Sequence, residues 1–315
     1  MVKKKIGLKV LASELNLSIT AVSRALRDCD DISDETKQLV KEKAVELGYL
    51  PNNVIKLLND ENKKVIGFVL DSLSSPFIGM ILDYMLQECK DKDVSCLIIP
   101  SYQLELTQQI VEECARQSVG VIISFIVPNK EASDFASMCQ LPIIVFGRDC
   151  KENVDVICTN DYQGGSLVAE YFHKLGLKKL AYLGAPHIMC DNARYLGFKD
   201  TALKFGYSQV TYIDSTSDEY EKVFKGKFDG IFAFNDELVC RVLNDNPDCG
   251  FKIIGYDGLS KNLNYPNEIT SVVGNYQLMV KDAIAIAMRH FETDYKLENR
   301  INKKYKVSLK KGRTA

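Results

Sequence analysis

Over the first 48 residues, apolar positions recur at helical spacing in three short runs. Val10-Leu11-Ala12-Ser13-Glu14-Leu15 predicts a first helix, and Asn16 follows where a tight turn needs a residue that tolerates positive φ. Ser18 is placed to cap a second helix, Ile19 to Leu26, through its side-chain oxygen. Val22 and Leu26, four apart, share the face turned to Leu11 and Leu15, which leaves Ile19, Thr20, Ser23, Arg24 and Arg27 on the outer surface. Ser33 caps a third helix carrying Leu39, Val40, Ala44 and Leu47 at helical spacing, and Gly48 ends it. A small all-α helix-turn-helix domain over residues 1–48 is expected, its second helix shaped for a major groove.

The pattern then changes twice. Residues 49–58 hold Tyr49-Leu50-Pro51-Asn52-Asn53 and the short apolar segment Val54-Ile55-Lys56-Leu57-Leu58, followed by the charged joint Asp60-Glu61-Asn62-Lys63-Lys64. Beyond it, continuous apolar runs alternate with amphipathic stretches. Strands are predicted at 65–70, 96–99, 119–124 and 143–146, with helices at 78–90 and 105–117 between them. A second set follows, with strands at 180–183, 210–213, 230–234 and 252–256 and helices at 164–174, 194–205 and 237–243. Two such sets predict an α/β core of two lobes, each a doubly wound parallel sheet.

Ligands of such sheets sit at the carboxyl ends of the strands, so two facing lobes enclose a ligand between them. The residues after strands are therefore the candidates: Ser75-Pro76-Phe77, Gly147-Arg148, the segment from His187 to Arg194, Asn235-Asp236 and Asp257-Gly258.

Charge supports a nucleic-acid role only through its distribution. The net charge is −2, yet residues 1–27 carry six cations against Glu14 alone, where the fold would meet phosphate. A second basic run, Arg300 to Arg313, has seven cations and no acid and reads as solvated surface. The ten cysteines are scattered, the closest pair being Cys89 and Cys96, so neither a metal knuckle nor a redox pair is expected. No apolar run follows Met-Val-Lys-Lys-Lys and none reaches the length of a membrane span; a cytoplasmic protein with inert thiols is expected. Gly-x-Gly-x-x-Gly, a phosphate loop and Gly-x-Ser-x-Gly are missing, and the three histidines are far apart in sequence. No enzyme, metal or cofactor is expected.

The run Leu17-Ser18-Ile19-Thr20-Ala21-Val22-Ser23-Arg24-Ala25-Leu26, then Gly48-Tyr49-Leu50-Pro51-Asn52 and Leu58, resembles the LacI/GalR-type transcriptional regulators. The resemblance continues in Ser75-Pro76-Phe77, Arg194-Tyr195-Leu196-Gly197-Phe198, Asn235-Asp236 and Gly255-Tyr256-Asp257, and so covers nearly the whole chain. It implies a periplasmic-binding-protein-like core over residues 65–315, for effector binding and dimerisation, joined to the reader by a hinge helix and linker over 49–64. It implies DNA contacts from Ser18, Ile19, Thr20, Ser23, Arg24, Arg27, Asn52, Ile55 and Leu58, and effector contacts from Phe77, Arg148, Cys190, Arg194, Asn235 and Asp257.

The expected protein is a homodimeric repressor of a pseudo-palindromic double-stranded DNA operator, controlled by a small polar metabolite of sugar type; the alternative is control by a partner protein, or no effector. Arg194 and Asp257 lead the effector set, because a guanidinium fork and a carboxylate each direct two hydrogen bonds at vicinal hydroxyls or an anionic group. Cys190 stands where relatives often carry Ser or Thr, Ile55 where a small Ala is common, and Thr270-Ser271-Val272-Val273-Gly274-Asn275 replaces a Thr-Thr-Val-x-Gln-Pro pattern.

Overall fold

The computed structural model describes residues 8–26, 29, 31–47, 49, 64–186, 189–265, 268–292 and 300–315. The first three helices are α1 (Leu8–Glu14), α2 (Ile19–Ala25) and α3 (Asp34–Leu47). Asn16 takes φ 52° in the turn between α1 and α2. Ser18 Oγ accepts the Ala21 N–H at 3.1 Å and Ser33 Oγ that of Thr36 at 3.3 Å, satisfying donors that open each helix. Leu11, Val22, Val40 and Tyr49 close a small core of their own.

The remaining chain builds two lobes. The first sheet contains β1 (Val65–Leu70), β2 (Ser95–Pro100), β4 (Val121–Ser124), β6 (Ile143–Phe146), β7 (Asp155–Thr159) and β13 (Asn302–Tyr305), in the order β13-β7-β6-β4-β1-β2, all parallel. Its faces are covered by α4 (Pro76–Asp91), α5 (Gln108–Arg116), α6 (Lys130–Met138) and α11 (Tyr276–Glu292). The second sheet holds β8 (Leu180–Gly184), β9 (Val210–Asp214), β10 (Gly230–Ala233), β11 (Lys252–Tyr256), β12 (Ser271–Gly274) and β14 (Val307–Lys310), in the order β14-β12-β11-β10-β8-β9. Around it lie α7 (Asp161–Lys174), α8 (Met189–Lys204), α9 (Lys222–Lys225) and α10 (Asp236–Asp245). Each sheet is sandwiched between two apolar clusters, which explains why its central strands are buried throughout.

Three expectations change. Residues 105–117 are not one helix: Glu105–Leu106 is a short strand, β3, beside β5 (Val127–Pro128), because Leu106 is buried and Thr107 is extended where α5 begins. The second sheet is mixed, since β14 runs antiparallel to β12. The basic run at 300–313 is not merely solvated surface. It supplies β13 to the first sheet and β14 to the second, with Tyr305 and Val307 buried between exposed lysines.

Among the described residues the chain crosses between the lobes at Thr159-Asn160, Gly274-Asn275 and Tyr305-Lys306. The second lobe contains one unusually close helix pair. A Cβ on Gly165 of α7 would lie 2.1 Å from Arg194 O, and one on Gly197 of α8 would lie 2.0 Å from Tyr162 O, so only glycine lets these helices approach.

Candidate functional site

The carboxyl ends of both sheets face a cavity of about 360 Å³, lined by all six residues expected from the sequence. Phe77 comes from the first turn of α4 and Arg148 from the turn after β6, where Gly147 takes φ 81°. Cys190 and Arg194 lie on α8, Asn235 caps α10, and Asp257 follows β11.

Arg194 is the centre of a buried network. Its Nε lies 3.1 Å from Asp161 Oδ1, Nη1 donates to Phe234 O at 2.7 Å, and Nη2 is 3.7 Å from Asp257 Oδ1. Its guanidinium carbon stands 3.6 Å from the Tyr256 ring centroid, a stacking that lysine could not reproduce. Burial pushes the Asp257 carboxyl up to about 6, against the pull of Arg194. Asp257 also takes φ 95°, a left-handed backbone that is uncommon outside glycine and marks a constrained position.

The start of α8 is held by Asp191, which accepts hydrogen bonds from Tyr182 Oη (2.9 Å), Tyr212 Oη (2.8 Å) and the Ala185 N–H (2.8 Å). That clamp sets the position of Cys190 beside it and Arg194 one turn on. Burial pushes the Cys190 thiol up to about 11, which keeps it protonated and a weak hydrogen-bonding group at neutral pH. Asn235 Oδ1 accepts the Leu238 N–H at 2.9 Å, so capping occupies its oxygen and leaves the side-chain NH2 as donor. Asp236, expected to share in ligand contact with Asn235, is instead scaffold. It is fully buried, accepts from Ser271 Oγ at 2.7 Å and the Leu259 N–H at 2.6 Å, and burial pushes its carboxyl up to about 8.

Several lining residues were not anticipated. Asp71 directly follows β1 and binds Arg148 Nη2 at 2.5 Å through Oδ2; the strand-end rule that found Arg148 would have found it too. Tyr276 opens α11, packs edge-on against Phe77 at 5.2 Å, and reaches Asp257 Oδ1 with its hydroxyl at 3.4 Å, joining one lobe to the other. It follows β12, a strand outside the expected set. Phe125, Phe146 and Glu237 complete much of the remaining wall.

In the N-terminal unit, Ile19, Thr20 and Arg24 are exposed, Ser23 is half-buried, and Arg24 Nη2 lies 2.9 Å from Asp31 Oδ1. Arg27, Asn52, Ile55 and Leu58 lie outside the described residues.

Residues 63–225 match the family described as periplasmic binding proteins and sugar binding domain of the LacI family. The chain belongs to that family. It is 25% identical over 285 residues to the sucrose operon repressor of Pediococcus pentosaceus, covering 83% of this chain and 85% of that one. It is 22% identical over 295 residues to the HTH-type transcriptional repressor PurR of Mannheimia succiniciproducens, covering 84% and 86%. Solved structures match in fold along almost the whole chain, two of them as follows. A CelR regulator in complex with cellobiose has a TM-score of 0.70 at 17% identity, covering 99% of this chain and 100% of that one. The lac repressor dimer bound to operator and the anti-inducer ONPF has a TM-score of 0.66 at 18% identity, covering 99% of each. Within the described residues, no helix is long and apolar enough to cross a membrane.

Proposed function

We propose that this protein is a transcriptional repressor, not an enzyme, whose hold on DNA is set by a small sugar-type metabolite bound between its core lobes. The observation that carries the reading is the convergence of Phe77, Arg148, Cys190, Arg194, Asn235 and Asp257, from five separate segments of chain, on one cavity. Family membership and repressor relatives support the same conclusion.

In this reading residues 1–48 form the helix-turn-helix reader, 49–64 the hinge, and 65–315 the effector-binding and dimerisation core. Two readers of a homodimer meet successive major grooves of a pseudo-palindromic operator, with the outer face of α2, from Ser18 to Arg27, against base edges and phosphates. Asn52, Ile55 and Leu58 enter the minor groove between them, Leu58 as a wedge between base pairs. A ligand that binds one lobe arrangement more tightly shifts the population of lobe positions, and with it the spacing of the hinges. Phe77 and Tyr276, which line the cavity and pack on each other beside the Gly274-Asn275 crossing, would carry closure to the point where the chain passes between lobes.

The test combines operator selection from a random duplex library with fluorescence anisotropy on the selected site. A sugar from a broad panel is expected both to raise the melting temperature and to change operator affinity. Selection of no preferred duplex rejects the reader; a preferred duplex with affinity indifferent to every sugar rejects the effector.

A further inference from the structure

Resting on that reading, we infer that the cleft selects its ligand by charge: it admits an uncharged or amine-bearing polyol and refuses the phosphorylated form of the same sugar. Two guanidiniums line the cavity, which at first suggests the opposite. Both are already matched. Arg148 Nη2 lies 2.5 Å from Asp71 Oδ2, and Arg194 lies between Asp161 and Asp257 at 3.1 and 3.7 Å. Each guanidinium charge is therefore balanced by a carboxylate before any ligand arrives.

What remains over is carboxyl groups. Asp71 lines the cavity, and its second oxygen, Oδ1, is buried with no hydrogen-bond partner among the described residues, an arrangement that costs free energy. Glu237, from the other lobe, adds a half-buried carboxyl whose pKa burial raises, an effect the Ser75 hydroxyl only partly offsets by bonding the ionised form. The lining thus holds three carboxyls, Asp71, Glu237 and Asp257, against two guanidiniums, with Asp161 a fourth acid behind Arg194. A hydroxyl or ammonium group in the cavity meets the Glu237 carboxyl from one lobe and the Asp71 carboxyl from the other. A phosphate dianion would bring further negative charge into a semi-enclosed site, and one uncompensated like-charge contact at about 4 Å suffices for more than a tenfold loss of affinity. Phe77, Phe125, Phe146 and Phe234 supply apolar faces, which suit sugar C–H groups and attract a cation.

The sign of the cavity is measurable without knowing the ligand, because Cys190 lines it. Methanethiosulfonate reagents form a mixed disulfide with the thiolate and release methanesulfinate, so a trimethylammonium-ethyl and a sulfonato-ethyl reagent can be compared on the full chain. Peptide mass spectrometry separates the Cys190 adduct from those of the other nine cysteines. The cationic-to-anionic rate ratio at Cys190 is expected to exceed that of free cysteine at least tenfold, and to fall in Glu237→Gln and Asp71→Asn. A ratio at or below that of free cysteine overturns the inference.

The second arm titrates D-glucose, D-glucosamine and D-fructose, each against its own 6-phosphate, by calorimetry. Binding of a parent sugar at least tenfold tighter than its phosphate supports charge selection, and a phosphate that binds as tightly as its parent overturns it. A cationic preference at Cys190 with sugar-independent operator binding would leave charge selection standing and defeat the sugar reading instead, so the two fail separately.

Discussion

Arg194 Nε stands 3.1 Å from Asp161 Oδ1, 33 residues earlier in the chain, with both side chains buried. The same guanidinium holds Phe234 O and Asp257, so the residue expected to grip a ligand also ties α7, α8 and the ends of two strands together. Its two roles are separable only by comparison.

Arg194→Ala is expected to destabilise the ligand-free protein by about 3–5 kcal/mol, because it leaves Asp161 and Asp257 as buried uncompensated carboxylates. Arg148→Ala removes a more exposed pair and is expected to cost about 1–3 kcal/mol. Both should abolish effector-induced stabilisation. Urea unfolding of each variant checks the ranking, and an Arg194→Ala protein as stable as wild type would contradict the network.

Gly165→Ala is expected to lower stability by at least about 1–3 kcal/mol and to weaken effector binding, since its Cβ would lie 2.1 Å from Arg194 O and push α8 away from α7. Gly79→Ala, on α4 with open space around its Cβ position, is the control and should leave stability unchanged or slightly raised. Melting temperatures of the pair give the answer; equal values would mean the helices do not need their close approach.

Stability is expected to fall as pH rises from about 5 to 9. The carboxyls of Asp257 and Asp236 are raised by burial from 3.8 to about 6 and about 8, so proton binding favours the folded state. That contribution is complete below the unfolded value and is lost as pH rises through each folded value. Carboxyls held low, such as Asp282, titrate below this window and do not offset it. Urea midpoints across the range should decline in wild type and lose the step near pH 6 in Asp257→Asn; a rising profile would contradict the assignment.

Arg24→Ala is expected to cost about 1–3 kcal/mol on the selected operator and far less on random DNA, as for a bidentate contact to a guanine edge. In the free protein Arg24 is held by Asp31 at 2.9 Å, an exposed pair worth little, so the arginine is released to DNA cheaply. Anisotropy titrations on both duplexes decide it, equal losses reducing Arg24 to a phosphate contact.

Much of this protein is written in short-range patterns. The helical spacing of Leu11, Val22 and Val40, the capping positions of Ser18 and Ser33, and the apolar runs of the inner strands depend on residues close in sequence, so they are readable without a fold. The strand-end rule then places Phe77, Arg148, Cys190, Arg194, Asn235 and Asp257 at one cleft, because backbone direction in a parallel sheet is common to all its strands. Tertiary structure decides the rest. Asn302–Tyr305 and Val307–Lys310 carry too many lysines for an apolar run, and become strands because open sheet edges offer hydrogen-bond partners on either side of a lobe crossing. Asp161, Tyr276 and Asp71 gain their meaning from what they face across that crossing or beside it. Spacing cannot reveal it, since the partner of a buried charge is chosen by distance in space, and here those distances join residues that lie 19 to 77 positions apart.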